Sequence, residues 1–588
     1  MISSLRKLLV LAALPGFLTA ATFNGRVYLD QNRNGRLDAG EDGLAGVVVS
    51  DGHAVVESAA DGHYSLDSAE VKPLLWYCRP SDHEPVGDFW CWGDASKEHD
   101  FGLAAAPQDR EFNIVQFTDT HLTARQLPAM TAFIEQLNTL PARFAFAINT
   151  GDLVSNSDTL PVDKAIEQYD AYEQGIAGRN FPLFHVIGNH EHVMSTYAKR
   201  EINHEFYAKG LYRQRFGPIY YAFDWAGVHF YVLDGTQMHQ GLGYREALGE
   251  EQLAWLEKDL TLLKTGTPIV IFVHEPPTGI PGHSGGVRDK DRLAKLLQGH
   301  NFQAAFCGHL HNNYEVRLNG APVFVTGALS GAWWGGPNSD GSPQGYRLIS
   351  IKDGVFQRTV YVNREGHNAI ARIAPSAGDI GSGEQTLTVS VVDYGKPVDL
   401  TVSVRDHDVA LAPVMSGREP LWSFWTLSFD SGTWPDNLYT IDFKALQDGK
   451  ESKSSTRCLL INGNDDPAFQ PKYDYVLHFT YVRADADAEL LINDQVVASI
   501  AKGHPCGRAE RGRVAIPRDA VRRMNALSIR TTPGQKGRVA ISHVTIKYQR
   551  EDKKTVTVSD PRYYGHSAFS VNAEKPASAG KRYFAVTD

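Results

Sequence analysis

The chain has 588 residues, 42% apolar and 10% aromatic, with 58 basic against 68 acidic side chains and a formal net charge of −10. That length exceeds what one hydrophobic core serves, so several domains are expected, and the ordinary apolar content excludes wholesale disorder. An acidic chain without a long basic run is not a dedicated nucleic-acid binder, and no nucleic-acid-binding module is evident, although a cationic metal site could still receive phosphate locally.

Residues 1–21 read as a secretory signal peptide. Arg6 and Lys7 precede a short apolar run, and Thr19-Ala20-Ala21 offers small residues for cleavage. The run is short for a bilayer and contains Pro15, and no other segment is apolar enough to span one. The expectation is an exported protein, periplasmic or secreted, with no transmembrane segment after cleavage. Cys78 and Cys91 bracket a short loop and are expected to pair in an oxidising compartment; Cys458 and Cys506 form a second candidate pair. Cys307 is expected to be buried and reduced.

Residues 22–105 hold short β-like runs (GRVYLD, AGVVVSDG, HAVVES, GHYSLD) between Gly/Asp turns, which predicts a small β-sandwich. Within it lies DQNRNGRLDAGE, residues 30–41. Asp30, Asn32, Asn34, Arg36, Asp38 and Glu41 fall at the liganding positions of a calcium loop, with Gly35 at the sixth position. The flanks are strands, so this is no EF-hand; a structural calcium is expected, with a metal-free polar turn as the plainer alternative.

Residues 110–365 change character. Apolar runs (FNIVQF, FAFAIN, LFHVIG, VHFYVLD, PIVIFVH, QAAFCG, PVFVTGA) alternate with helical patterns (MTAFIEQLNTL, EEQLAWLEKDLTLL, DKDRLAKLLQ), predicting an α/β layered domain. Beyond it, β patterning returns and predicts one sandwich over 380–462 and a second over 468–549, leaving the polar tail 550–588 unassigned.

Five stretches of the α/β domain place ligand-type residues just after apolar runs. FTDTHL supplies Asp119 and His121, NTGDLV supplies Asp152, and IGNHEH supplies Asn189 and His190. FVHEPP supplies His274, and FCGHLHNN supplies His309 and His311. Strand carboxyl ends are where open α/β sheets bind ligands. In DxH and HxH, a strand fraying into a loop would turn residues i and i+2 to the same side. A mixed imidazole and oxygen set suits Mn, Fe or Zn, whereas an all-oxygen set would favour Mg or Ca.

The order DxH…GD…GNHE…H…GHxH, over residues 112–330, resembles the calcineurin-like metallophosphoesterases, in a bacterial subgroup with N- and C-terminal β domains. The resemblance implies an α/β core, a four-layer α/β/β/α sandwich, flanked by N-terminal and C-terminal all-β domains. It implies two divalent or transition metal ions. Asp119, His121 and His311 would bind one and Asn189, His274 and His309 the other, with Asp152 bridging them. His190 would stand free of the metals as an acid or charge stabiliser, while a metal-bound hydroxide attacks the phosphorus of a phosphate-ester substrate.

Purple acid phosphatases place a tyrosine three residues after the bridging aspartate, where this chain has Ser155. Phosphoprotein phosphatases carry an arginine soon after it, and GDLVSNSD has none. Both of those branches lose ground, and FTDTHL resembles the diesterase and cyclic-nucleotide branch somewhat more, so a phosphodiester is slightly favoured over a monoester. Trp333 and Trp334, in GAWWGG, are candidates for a substrate wall or for an interface to the β modules. His283, in PGHSGG, is a candidate substrate contact or a solvated loop residue. The rival function is a cell-surface protein binding glycan, polymer or partner, in which the phosphoesterase core is subordinate or inactive.

Overall fold

The computed structural model describes residues 21–588 except 141–143, 239–242, 281–285, 340–341, 365–369, 375–377, 381–382, 394, 406, 408, 419–421, 507–509, 533–534, 537, 559–568, 573–581 and 587–588. The segment expected to be a signal peptide therefore lies outside the described residues, apart from Ala21, which opens the first strand. His283 lies outside them as well. The chain forms two compact units: the part through Gln108 with Tyr221–Trp225 and Glu251–Leu263, and the remainder. The helix Glu250–Leu262, read from sequence as part of the α/β alternation, thus falls almost wholly in the first unit.

In the first unit two four-stranded sheets face each other. One runs His63–Ser68, Ala21–Leu29, Phe101–Ala105, His83–Val86; the other runs Val55–Glu57, Val48–Ser50, Leu74–Tyr77, Trp90–Trp92. His63–Ser68 alternates exposed and buried residues, turning Tyr64 and Leu66 onto a core with Phe23, Val27, Val49, Leu75 and Phe101. The expected Cys78–Cys91 bond is absent. Cys91 pairs with Leu75 in the ladder, so Cys78 lies three residues farther along, on the order of 10 Å away, beyond disulfide reach. Cys458 is buried and Cys506 exposed, and no disulfide joins them; none of the five cysteines forms a disulfide among the described residues. Cys307 is fully buried.

The calcium-like loop closes on itself by hydrogen bonds. Asp30 accepts from the Asn34 and Gly35 N–H groups, and the Asn32 and Asn34 amides donate to Asp38 Oδ2 at 2.8 and 2.7 Å. Glu41 accepts from the Gln31 and Asp38 N–H groups. Arg36 donates its N–H to Asn34 Oδ1 at 2.8 Å. Among the described residues, Asp30, Asp38 and Glu41 do not form a converging group of metal-ligand atoms.

The α/β part of the second unit is built on two mixed sheets. The first has the order Leu183–His185, Phe146–Asn149, Glu111–Phe117, Gly345–Lys352, Val355–Asn363, parallel among the first three strands and antiparallel thereafter. In the second, Val228–Leu233, Pro268–Val273, Asn301–Cys307 and Ala321–Val325 run parallel, with Tyr314–Leu318 antiparallel beside them. Phe146–Asn149 and Val228–Leu233 are buried at every residue, as strands covered on both faces must be.

Helix Leu127–Asn138 has a proline in its first turn, where no N–H is needed, and buries Met130, Phe133, Ile134 and Leu137. Helix Val162–Ile176 is absent from the sequence-based reading because its apolar residues are diluted by charged ones. Its buried Ala165, Tyr169, Tyr172 and Ile176 nevertheless follow helical spacing and share one core with the first sheet.

The C-terminal strands make two further pairs of sheets. Val392, Trp422 and Phe424 of the first pair join the core of Leu348, Val360 and Val362. The tail contributes strands to the last pair: Thr555–Val558 and Phe569–Asn572 pair with Arg538–Gln549, and Arg582–Ala585 pairs with Met524–Thr531. Among the described residues, no helix is long and apolar enough to cross a membrane.

Candidate functional site

Each ligand-type segment begins where a parallel strand ends. Asp119 and His121 follow Glu111–Phe117, Asp152 follows Phe146–Asn149, and Asn189 and His190 follow Leu183–His185. His274 follows Pro268–Val273 in the second sheet, and His309 and His311 follow Asn301–Cys307. The segments converge through left-handed backbone rather than through strand alternation, which corrects the reading of DxH and HxH. Asp119, His121, Asp152, His309 and His311 have φ of 52°, 42°, 52°, 70° and 50°. Such values cost non-glycine residues of order 1–3 kcal/mol each and cluster at functional sites. Gly151 (φ 97°) and Gly308 leave the room this needs: a Cβ would lie 2.4 Å from His274 Nδ1 at the first and 2.5 Å from Asp119 Oδ2 at the second.

The side chains meet in three overlapping groups: Asp119, His121 and His311; His121, Asp152 and His190; Asp152, His274 and His309. Asp152 Oδ2 is 3.1 Å from His274 Nε2 and 3.8 Å from His121 Nε2. Asp119 Oδ1 is 3.2 Å from His311 Nε2. Asn189 Oδ1 is 3.0 Å from His309 Nδ1. All of these residues except His190 and His309 are buried.

The donor set fits metal ions on its own geometry. The buried Asp119 Oδ1 and His274 Nε2 have no aligned hydrogen-bond partner in spite of close neighbours. His121 Nε2 and His311 Nε2 face each other at 2.9 Å. Ring nitrogens and carboxylate oxygens buried and crowded at these distances are aimed at a shared point, and imidazole with carboxylate is the chemistry of transition-metal sites. The outer ring nitrogens are fixed: His274 Nδ1 lies 2.7 Å from the Thr150 carbonyl and His311 Nδ1 2.9 Å from that of Gly331, which frees each Nε2 to face the cluster.

Burial opposes charge on the Asp152 carboxyl, but His274, His190 and His121 hold it below the usual carboxylate range. Burial lowers His121 to about 4, keeping it a neutral ligand type. Burial also opposes charge on His190, yet Asp152 and Asp158 outweigh it and raise the imidazole to about 9.

Several contributors escape motif reading. Asp158 Oδ1 stands 3.2 Å from His190 Nδ1. The buried Glu191 carboxylate accepts from the backbone N–H groups of Asp152, Gly188 and Val154, tying two ligand loops together. Their positions beside or just after a ligand in GNHEH and GDLVSNSD are the available sequence signal.

The two tryptophans divide. Trp333 lies over the site, stacked on His121 at 3.8 Å between ring centroids and edge-on to His190 at 5.3 Å, and is partly exposed. Trp334 is an anchor: its Nε1–H donates to the Thr120 carbonyl at 2.9 Å, and Arg364 stands over its ring.

Residues 112–313 match the family described as calcineurin-like phosphoesterase, and residues 31–92 match the N-terminal module described for the same family. Three curated relatives match at low identity. A "Probable cyclic nucleotide phosphodiesterase" of Rhodococcus erythropolis is 26% identical over 44% of this chain and 85% of its own length. A "Probable glycerophosphodiester phosphodiesterase GpdQ" of Arcobacter nitrofigilis is 24% identical over 34% and 71%. The "3',5'-cyclic adenosine monophosphate phosphodiesterase CpdA" of Escherichia coli K12 is 25% identical over 36% and 74%.

Proposed function

We propose, from the premise that residues 112–313 form a calcineurin-like phosphoesterase domain and that the chain is a metal-dependent phosphoric ester hydrolase, that it holds two metal ions and prefers phosphodiesters to monoesters. Asp119, His121 and His311 would hold one ion and Asn189, His274 and His309 the other, with Asp152 serving both. The observation that carries this reading is the place of Asp152, which belongs to two of the three ligand groups and has Oδ2 directed at His274 and His121. The donor set suits Mn, Fe or Zn. When bound, such a pair supplies Lewis-acid polarisation of the phosphoryl group and acidifies a water.

The chain's own residues do the rest. His190 sits at the rim with Asp158 behind Nδ1, so its Nε2 carries a proton toward the departing oxygen. Trp333 contacts the substrate where it covers His121, while Trp334 serves the loop. The diester preference is supported by the relatives' names. The leader-like pattern of residues 1–21 supports export, and the residue spacing of 30–41, rather than its hydrogen-bonded geometry, supports a structural calcium. The four-layer order of the catalytic domain and the separate folding of the β modules belong to the same proposal.

Asp152→Ala tests the bridge. The expected result is loss of metal together with activity, read by elemental analysis and ester hydrolysis on one preparation. Two ions per chain with near-native turnover would remove Asp152 from its role.

A further inference from the structure

His309 is turned the opposite way from His274 and His311. Those two present Nε2 to the cluster and give Nδ1 to a carbonyl, whereas His309 presents Nδ1 to Asn189 Oδ1 at 3.0 Å and points Nε2 away. At that outer nitrogen stands a carboxylate, Glu246 Oε1, at 3.6 Å. A neutral imidazole that offers Nδ1 as a ligand must carry its proton on Nε2, and that proton needs an acceptor.

The placement of Glu246 is built into the fold. It closes the small antiparallel pair Thr236–Met238 and Tyr244–Glu246, directly opposite Thr236. The Glu246 carbonyl accepts from the Arg288 N–H at 3.0 Å, and the next residue, Ala247, donates to Gly235 at 2.7 Å. The Thr236 hydroxyl donates to the buried Glu275 carboxylate, the immediate neighbour of His274. The hairpin is thus pinned to the same strand end that supplies a ligand.

We propose that Glu246 is a positioning residue for the second metal: it holds the Nε2–H of His309, fixes the tautomer in which Nδ1 is the free donor, and strengthens that donor electrostatically. The inference rests on the two-metal reading above. It makes the His309 site the one whose affinity depends on a carboxylate rather than on a backbone carbonyl, and it leaves the site of Asp119, His121 and His311 independent of Glu246.

The test is equilibrium dialysis of the full chain against buffered Mn(II), comparing wild type, Glu246→Ala and Glu246→Gln. The expected result is two sites in wild type and, in Glu246→Ala, one of the two weakened by about 10–100-fold with the other unchanged. Glu246→Gln has the same size and still offers an oxygen to Nε2–H, so it should fold as wild type and fall between them. Glu246→Ala binding both ions with wild-type affinity would overturn the inference while leaving the two-metal reading intact. Equal weakening of both sites in the two variants would overturn it as well, because general loosening, not one tautomer, would be the cause. A wild type that never takes up two ions would sink the two-metal reading, and this inference with it.

Discussion

His190 differs from the other histidines of the cluster in what its two nitrogens face. Nδ1 meets Asp158 at 3.2 Å, and Nε2 stands 3.8 Å from Asp152, at the partly open edge beneath Trp333. A proton held there is useful in proportion to the basicity of the leaving oxygen, because an alkoxide departs poorly unprotonated while a nitrophenolate departs unaided. His190→Gln is therefore expected to keep both metals and to lose activity by ~10²–10⁴-fold on an alkyl ester, with a smaller loss on a nitrophenyl ester. Equal losses on both would mean charge stabilisation without proton donation, and loss of a metal would make His190 a ligand. The ligand-type residues themselves were legible because DxH, GD, GNHE and GHxH each sit directly after an apolar run. Asp158 and Glu246 were not, since what brings a carboxylate to an outer ring nitrogen is the path of the chain between elements, which no local spacing records.

At the scale of elements, the strands were readable and the turns were not. Continuous apolar runs such as PIVIFV mark strands buried on both faces. The five left-handed ligand residues carry no such mark, because strain at a bound site is maintained by its surroundings. Gly151 is where those surroundings are tightest. Gly151→Ala would put a Cβ 2.4 Å from His274 Nδ1 at a φ of 97°, so it is expected to lower stability by about 2 kcal/mol or more and to weaken metal retention. Urea unfolding and metal analysis check this, and a variant native in both would show that the loop can yield. The loop at 30–41 makes the other test. If Asp30, Asn32, Asn34, Arg36, Asp38 and Glu41 surround calcium, the full chain should melt at a lower temperature after calcium chelation, by mass action, and Asp30→Ala should abolish the difference. Melting indifferent to calcium in both would leave a turn closed by its own hydrogen bonds. The disulfide expectation failed at this scale too: loop brackets in sequence say nothing of register, and the ladder sets Cys78 and Cys91 apart.

Across the whole molecule, the alternation of β, α/β and β patterning could be read along the chain, but the tail could not: its strands complete sheets whose other members lie up to about a hundred residues earlier. The C-terminal modules carry buried cores of their own, and one shares residues with the first catalytic sheet; a glycan-binding role for them gains no support from the relatives. The proposed phosphodiester hydrolysis depends on metal ions held by the converged histidine and aspartate cluster. The measurement that bears on it most directly is hydrolysis of a panel of monoesters, diesters and cyclic diesters by the purified full chain, after chelation and after add-back of Mn, Fe, Zn or Mg. The predicted result is no hydrolysis after chelation, restoration by Mn, Fe or Zn rather than Mg, and faster turnover of diesters than of monoesters. A chain that regains two metals and still cleaves none of these esters would contradict the account.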